Sequence, residues 1–370
     1  MSFPKRAGAG AHNARYSPTF AVSTLACLIT GLCAAMPASA ETLYTGDSLM
    51  LQTVADIYDK SVAPFSPDDM SAPGNRVIVD YTGGTSPNYV FGGFSNSGNV
   101  TGNEVRLIRG TVLYRVYGGY SDFANVTNNT VTMSGNAAVD GFVYGAYSQN
   151  GNVIGNTVNI SGDARVGIEV IGGASYQHYS ATNNTVNISG NATVDYVTGG
   201  LSNGIGNATN NTVNISGGTV TGSVMGGDSF GGNVIGNTVN ISGDAAIEGW
   251  IYGGNGSNVT SNTVNISGGN VAGGVYGGNG SNATNNTVNI GGGTVSDSVF
   301  GGFSNIGNAT NNIVNISGDA TVSGGVTGGT SNDTATGNIV NISGGSIGGV
   351  VRGGNSNGAA TGNVVTVSGD

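Results

Sequence analysis

Carboxylates are the side chains of this 370-residue sequence that could act as acids, bases or metal ligands. Asp163, Asp244 and Asp319 each follow a Ser-Gly pair, so they occupy the same place in similar segments. Hydrolysis or cleavage of a polysaccharide needs two carboxylates about 5–10 Å apart. Other acids lie singly along the chain, at Glu169, Asp195, Asp228, Glu248, Asp297 and Asp333. Whether any two of them meet depends on the elements that hold them.

Other catalytic or cofactor-binding patterns are missing from the sequence. His178 is the one histidine after the first forty residues, and one histidine does not make a zinc site. Both cysteines, Cys27 and Cys33, fall inside those forty residues. The glycine-rich stretches are not followed by a helix that could present its N-terminus to a phosphate. They also lack the aspartates of a calcium-binding repeat. We therefore expect no cofactor, no metal and no enzymatic activity.

A repeat dominates the rest of the chain. One asparagine opens each copy, and the intervals between successive copies are 24 to 28 residues, which sum to 288 over eleven intervals and average about 26. The opening asparagines are Asn75, Asn103, Asn129, Asn156, Asn184, Asn211, Asn237, Asn262, Asn286, Asn312, Asn338 and Asn363. A period of this length is typical of a stacked array of short elements.

The residue pattern of each copy predicts short β-strands. In the stretch 237–242, Val239 and Ile241 fall on one side and polar residues on the other, which is a strand pattern. A second strand with alternating valines is expected to end at a Gly-Gly pair, such as 277–278, and a third short strand precedes the next asparagine. Three strands in about 26 residues predict an all-β fold, a single-stranded right-handed parallel β-helix (β-solenoid) of roughly 11–12 coils.

This fold places the carboxylates. At ~4.8 Å per coil, Asp163, Asp244 and Asp319 are three coils apart, or about 14 Å, which is too far for a catalytic pair. They are better explained as turn residues. Equivalent side chains of successive coils form columns, and the Thr-x-Asn columns predict hydrogen-bonded amide ladders. Their threonines are Thr130, Thr157, Thr185, Thr212, Thr238, Thr263 and Thr287, and their asparagines are Asn159, Asn187, Asn214, Asn240, Asn265, Asn289, Asn315 and Asn341.

One column is suited to binding. The residue before each Gly-Gly pair should point outward by parity with the inward valine, and five of these residues form the candidate ligand-contact ladder: Tyr117, Tyr144, Tyr252, Tyr276 and Phe300. The column also contains Phe91, Ile171, Thr198, Met225, Thr327 and Arg352. Exposed rings would stack on sugar rings or contact another protein. Alternatively, the rings fold over the glycine turn and pack on each other.

The N-terminus and the charge suggest where the protein acts. A basic start, an apolar run from 20 to 36 and Ala38-Ser39-Ala40 predict a signal peptide over residues 1–40. Residues 41–74 lack the repeat and are expected to cap the array of residues 75–370. The net charge is −10 with 10 Lys and Arg, so no basic stripe is available for nucleic acid.

The N-x-V-N-I-S-G copies with V-Y-G-G turns, behind a signal peptide with a long basic start, resemble the pertactin-like, adhesin-type passenger domains of bacterial autotransporters. Over residues 75–370 the resemblance implies a secreted β-helical stalk on the surface of a Gram-negative bacterium, exported through the Sec pathway. It would be an adhesin or a structural envelope protein without catalysis. Its partners would be a glycan or protein on a host or neighbouring cell. The outer-membrane barrel of that family is not found in this sequence, and we expect it as a separate partner or a missing domain.

Two alternatives to the adhesin or envelope role stay open. The first is a non-enzymatic binder of glycan or ice that uses a flat, repetitive Thr/Asn/Ser face. The second is a polysaccharide lyase or hydrolase that uses Asp244 or Glu248.

Overall fold

A computed structural model describes residues 41–44, 73–82 and 86–368. The expected signal peptide and most of the expected cap lie outside these residues. Every regular element of the described residues is a β-strand, and all strand pairings are parallel. The predicted β-solenoid is confirmed.

A complete coil has four short strands. In the coil that begins at Asn211, they are Thr212–Ile215, Thr219–Val220, Val224–Ser229 and Asn233–Ile235. We call these positions A, B, C and D, and the strands that share a position form a stack. Some neighbouring positions merge into one longer strand, such as Thr263–Val271 for A and B. Sequence patterns predicted three strands per coil, because they did not separate position B from position C.

The strands of each stack are as follows. Stack A contains Glu41–Tyr44, Arg76–Asp80, Glu104–Arg109, Thr130–Met133, Thr157–Ile160, Thr185–Ile188, Thr212–Ile215, Thr238–Ile241, Thr263–Val271, Thr287–Val295, Ile313–Ile316, Ile339–Ile342 and Val364–Val367. Stack B contains Thr111–Val112, Ala138–Val139, Arg165–Gln177, Thr193–Gly204, Thr219–Val220, Ala246–Ile247, Thr263–Val271, Thr287–Val295, Thr321–Val322 and Ser346–Ile347.

The other two stacks complete the coil. Stack C contains Tyr89–Phe91, Phe94–Ser95, Arg115–Ser121, Phe142–Ser148, Arg165–Gln177, Thr193–Gly204, Val224–Ser229, Ile251–Thr260, Val275–Thr284, Val299–Ser304, Val326–Ser331 and Val351–Ser356. Stack D contains Val100–Thr101, Val126–Thr127, Val153–Ile154, Ala181–Thr182, Ala208–Thr209, Asn233–Ile235, Ile251–Thr260, Val275–Thr284, Ala309–Thr310, Thr334–Thr336 and Ala359–Thr361.

Register is regular along the stacks, apart from local shifts such as the one between Val79 and Asp80. Thr212 pairs with Thr238 and Val213 with Val239, and the same residue types pair at nearly every step. Twelve strands of stack A, from Arg76–Asp80 to Val364–Val367, make eleven turns. Glu41–Tyr44 pairs in register with the start of this stack. The repeat therefore sets the register, because a slip of one residue would turn every inward valine outward.

The main core lies between stacks A, B and C. Inward side chains such as Val213, Ile215, Val220 and Val224 are fully or almost fully buried and belong to one cluster that runs along the described coils. Residues of stack D form separate small clusters, for example Val100, Val126 and Val153 with Ala146. Each coil adds a few aliphatic side chains to a core that its neighbours complete, so the coils depend on one another for stability.

The opening asparagines are buried and form a ladder inside the solenoid, which we call the inner ladder. Ten side-chain hydrogen bonds of 2.8–3.0 Å connect Asn103 without interruption to Asn363. From Asn129 to Asn338, each amide donates to the next coil toward the C-terminus and also to a carbonyl of stack D, as Asn211 does to Ala181 O. The sequence showed these asparagines as a period, but it gave no sign that they are interior.

A second ladder, the outer ladder, lies on the face of stack A and is half-buried. It runs from Asn341 to Asn159 with bonds of 2.7–2.9 Å, as the Thr-x-Asn columns predicted. Its amides donate toward the N-terminal coil, in the direction opposite to the inner ladder.

The residue before each inner asparagine turns the chain in the left-handed conformation. This position is occupied by Gly74, Gly102, Asn128, Gly155, Asn183, Asn210, Gly236, Ser261, Asn285, Asn311, Gly337 and Gly362, all with positive φ. Glycine has no Cβ to oppose this conformation, and asparagine tolerates it better than most residues. This explains why every copy but the one with Ser261 has Gly-Asn or Asn-Asn at this point.

Candidate binding surface

Gly-Gly pairs form a corner of the coil, but they do not end the strand as the sequence suggested. Strand C runs through the pair, as in Val224–Ser229. A Cβ on Gly226 would meet the carbonyl oxygen of Gly253 in the next coil, and one on Gly227 would lie 2.5 Å from Nδ2 of Asn237. Both positions need glycine because the backbone of one coil and the inner ladder of another occupy that space.

Bending at the glycines brings two outward columns together. We call this surface the aromatic corner; its first ring stack consists of Phe91, Tyr117 and Tyr144 before the glycines and Phe94, Tyr120 and Tyr147 after them. Within one coil the two rings meet edge to face, with centroids 5.3 Å apart and planes at 82° for Tyr117 and Tyr120. These rings form an apolar cluster separate from the main core. The predicted outward direction is therefore correct, yet Tyr117 and Tyr144 are only 3% and 4% exposed.

Between coils the rings lie face to face. Tyr117 stacks on Phe91 at 4.9 Å and on Tyr144 at 5.0 Å, with planes within 10°. Tyr120 is stacked in the same way between Phe94 and Tyr147. Since neighbouring rings cover both faces of Tyr117 and Tyr120, these rings offer a ligand their edges and hydroxyls. The structure therefore favours the alternative in which the rings pack on each other, and a contact with sugar ring faces does not fit these positions.

Hydroxyl groups of this corner differ in their bonding. Tyr120 Oη donates to Asp122 at 2.7 Å, and Tyr117 Oη accepts from Arg115 at 3.1 Å. Within the described residues, Tyr144 Oη and Tyr147 Oη make no hydrogen bond, and neither is among the fully buried unsatisfied atoms. Two tyrosine hydroxyls are thus available at the surface of an otherwise packed cluster.

Burial changes the acidity of these phenols. Desolvation raises the pKa of Tyr144 and Tyr147 well above the usual value, since a buried phenolate would lose its hydration. Burial, with help from the nearby Asp122 carboxylate, also raises the pKa of Tyr120. The corner consequently presents neutral hydroxyls that can both donate and accept hydrogen bonds.

A second ring stack occupies the same corner further along the chain. Tyr276 lies between Tyr252 at 5.2 Å and Phe300 at 4.9 Å, and Trp250 stacks on it from the side at 5.5 Å. Phe303 meets Phe300 edge to face. Trp250 is 41% exposed, so this stack has a more open border than the first.

The five predicted ladder residues therefore fall into two groups. Tyr117 and Tyr144 belong to the first stack, and Tyr252, Tyr276 and Phe300 belong to the second. Between the groups the column holds Ile171, Thr198 and Met225, and Thr198 donates from its hydroxyl to Glu169 at 2.8 Å. A role of the ladder in ligand contact stays a prediction.

Arg115 lies at the edge of the first stack. Its register partners are Tyr89 in one neighbouring coil and Phe142 in the other. The guanidinium carbon lies 5.4 Å from the centroid of the Phe142 ring, within the range of a cation–π interaction. The repeat pattern does not indicate this residue, because it occurs once, outside the columns of identical side chains.

The carboxylates considered as catalytic groups do not come together. Asp163, Asp244 and Asp319 are exposed turn residues, three coils apart from one to the next, as predicted. Asp163 accepts a hydrogen bond from Asn191 at 3.0 Å. Across the described part of the chain, no group of three His, Cys, Asp or Glu is close enough to hold a metal ion.

One polar cleft of about 420 Å³ lies beside these turns. It opens where the short turn 216–218 is set between longer turns of the neighbouring coils, and Asn191, Thr219 and Asp244 are among its lining residues. Asp244 is the single carboxylate in that lining, so the cleft does not provide the pair that glycoside hydrolysis needs.

Comparisons with protein-family models, curated proteins and solved structures find no match to this chain. Among the described residues, no helix is present that has the length and apolarity to cross a membrane.

Proposed function

We propose that this protein is a secreted, non-catalytic β-solenoid that acts as an adhesin or structural protein at the surface of a Gram-negative bacterium, and that it contacts its partner through the aromatic corner. The observation that carries the proposal is the distribution of side chains around the coil. Rings, free hydroxyls and Arg115 are concentrated along one corner, whereas stack A presents threonines and an amide ladder. The partner is a glycan or protein of another cell surface.

The hydrogen bonding of the outer ladder makes the flat face of stack A a less favourable contact surface than the aromatic corner. Each amide from Asn187 to Asn315 already donates to one neighbouring coil and accepts from the other. These groups are therefore largely satisfied within the solenoid, and a ligand or ice would gain less from them than from the unbonded hydroxyls of the corner.

Binding of the full chain to immobilised glycans and matrix proteins tests the proposal. We expect the double variant Tyr147→Ala/Trp250→Ala to lose at least tenfold in binding, since both rings border the corner and Trp250 is 41% exposed. The matched control is Phe230→Ala, which removes an 88% exposed ring outside the corner and should leave binding unchanged.

Surface display is tested separately. Protease treatment of intact producing cells should remove the repeats from the cell surface without lysis. Repeats that are cleaved only after lysis would overturn the proposed location.

In the binding assay, equal binding by wild type and the double variant, with circular dichroism that shows both folded, would exclude the corner as the contact surface.

A further inference from the structure

Arg115 differs from the other arginines of the first coils. Arg76 and Arg106 form ion pairs with Glu104, at 2.8 and 3.1 Å, and Arg109 pairs with Asp80 at 2.6 Å. Arg115 makes no ion pair with any carboxylate of the described residues. Among the four arginines between Arg76 and Arg115, Arg115 is therefore the one whose guanidinium has no acidic partner among the described residues.

The guanidinium is nevertheless held in place. It lies over Phe142 at 5.4 Å and donates from Nη1 to the Tyr117 hydroxyl at 3.1 Å. One of its five N–H groups is used in that bond, which leaves four for another acceptor. A fixed guanidinium loses less side-chain entropy on binding than a mobile one, so its geometry suits ligand recognition.

Nearby carboxylates are engaged elsewhere. Asp122 accepts from Tyr120, and Glu169 accepts from Thr198. Glu169 follows Phe142 in the column of Arg115, two coils away, which corresponds to about 10 Å. Neither acid therefore pairs with Arg115, and the guanidinium can bind an anion from outside the protein.

Hydroxyls complete the surroundings of the guanidinium. Tyr117 Oη accepts from Arg115, so its own proton is left to donate, and Tyr144 Oη in the next coil is also unbonded. Neutral phenols beside a guanidinium can donate to a carboxylate and also accept from the hydroxyls of a sugar.

We propose that Arg115 and the hydroxyls of Tyr117 and Tyr144 bind a terminal acidic sugar, whose carboxylate lies on Arg115. The guanidinium would bind the two carboxylate oxygens side by side, while the phenols contact the sugar hydroxyls. A single terminal acid fits better than a polyanion, because the chain as a whole is acidic and would repel a long anionic polymer. This inference rests on the proposed function and specifies a ligand for its corner.

Calorimetric titration of the full chain tests the site with two oligosaccharides that differ only at the terminal sugar, glucuronic acid in one and glucose in the other. We expect the acidic compound to bind at least tenfold more tightly, and more weakly as salt is raised. Arg115→Gln should abolish the preference. Arg115→Lys keeps the positive charge but cannot form the two parallel hydrogen bonds of a guanidinium, so this variant should retain part of the preference.

Arg165→Gln is the matched control. Arg165 is also exposed and makes no ion pair with a described carboxylate, but it lies in stack B, away from the corner. This variant should bind as wild type does. Equal loss in both variants would reduce the effect to net charge and overturn the site.

Other outcomes separate this site from the proposed function. Equal affinity for the two sugars, or an Arg115→Gln variant that binds like wild type, overturns the carboxylate site. The proposed function stands in that case if the Tyr147→Ala/Trp250→Ala variant still loses surface binding. Tighter binding of a peptide C-terminal carboxylate than of the acidic sugar would overturn the sugar as ligand.

Discussion

Asn237 accepts two hydrogen bonds on one oxygen from a single residue of the preceding coil, Asn211. The backbone N–H of Asn211 reaches Oδ1 of Asn237 at 2.8 Å, and its side-chain amide reaches the same atom at 2.9 Å. The backbone N–H at this point therefore bonds to the inner ladder of the next coil instead of to a sheet neighbour. Each opening asparagine is satisfied only when the coil after it is in place.

Removal of one inner amide should cost much more than removal of an outer one. Asn211→Ala leaves the backbone and side-chain N–H groups of Asn184 without their acceptor in the interior. Buried donors without partners cost about 1–3 kcal/mol each, so we expect the free energy of unfolding to fall by roughly 2–6 kcal/mol. Urea denaturation followed by circular dichroism measures it.

The control is Asn214→Ala, three residues further along the chain, in the strand that follows Asn211. Asn214 belongs to the half-buried outer ladder, where water can replace the lost bonds. We expect a loss of about 1 kcal/mol or less. Similar losses for both variants would contradict the special role of the inner ladder.

Replacement of a corner glycine by alanine should destabilise the fold, although it adds only a methyl group. In Gly227→Ala the new Cβ would lie 2.5 Å from Nδ2 of Asn237, which the ladder holds in place. We expect a loss of at least about 2 kcal/mol from overpacking and broken ladder bonds. The midpoint of thermal unfolding gives the measure.

Gly291→Ala provides the comparison for that variant. A Cβ there would meet only Ser317 Oγ, at 3.8 Å, and most other copies, from Ser134 onward, carry serine at this position. The change should be neutral, or stabilising by roughly 0.4–1 kcal/mol, because alanine restricts the unfolded chain. A large loss at position 291 would show that glycine is needed outside the corner as well.

The residue before each inner asparagine, which has positive φ, should be replaceable by glycine but not by a β-branched residue. Asn285 has φ 57°, and equivalent positions hold glycine or asparagine in most copies. We expect Asn285→Gly to be tolerated and Asn285→Val to lose roughly 1–2 kcal/mol, since a β-branched residue is strained at positive φ. Denaturant midpoints of the two variants decide this, and a valine variant as stable as wild type would refute the assignment.

Alkaline pH should destabilise the solenoid through the first ring stack. Burial raises the pKa of Tyr144 above the usual value of about 10, so the folded state keeps the proton that the unfolded state releases. The contribution is complete below pH 10 and is lost as pH rises above it, by up to about 1.4 kcal/mol per pH unit for each such tyrosine. Urea midpoints between pH 8 and pH 11 follow the effect.

Tyr144→Phe isolates one of these groups. Phe91 and Phe300 already occupy this column, so the ring fits without the hydroxyl. The variant should match wild type at pH 8 and be more stable than wild type at pH 11. An unchanged slope above pH 10 would mean that Tyr144 does not contribute.

Period and alternation in the sequence were sufficient to predict the coil and its register. Val239 and Ile241 define the inward side without ambiguity, and the constant spacing of the opening asparagines aligns one copy with the next. The interior position of those asparagines was not predictable, because a polar residue next to a turn is normally exposed. The stacked coils show where the amide points: that of Asn237 lies against Gly227 and bonds to Asn262.

The candidate surface was predicted in part. The alternation of inward and outward residues along the strand placed Tyr117 and Tyr276 outside the main core. It carries no information about the direction of the bend at a Gly-Gly pair. That bend brings Tyr120 onto Tyr117 and buries both rings. The surroundings of Arg115 were not predictable, because Tyr89 and Phe142 lie in other coils and only the stacked register brings them beside it, whereas Tyr117 is in its own strand.

The opposite directions of the two asparagine ladders bear on how such a protein gains or loses copies. Amide dipoles of the inner ladder add up along the axis, and those of the outer ladder add up in the other sense, so their fields oppose each other. An inserted copy brings one inner and one outer amide, and each can bond to its equivalents in the coils on both sides. Gene duplication can therefore extend the array, or deletion shorten it, without leaving these amides unbonded at the new junction.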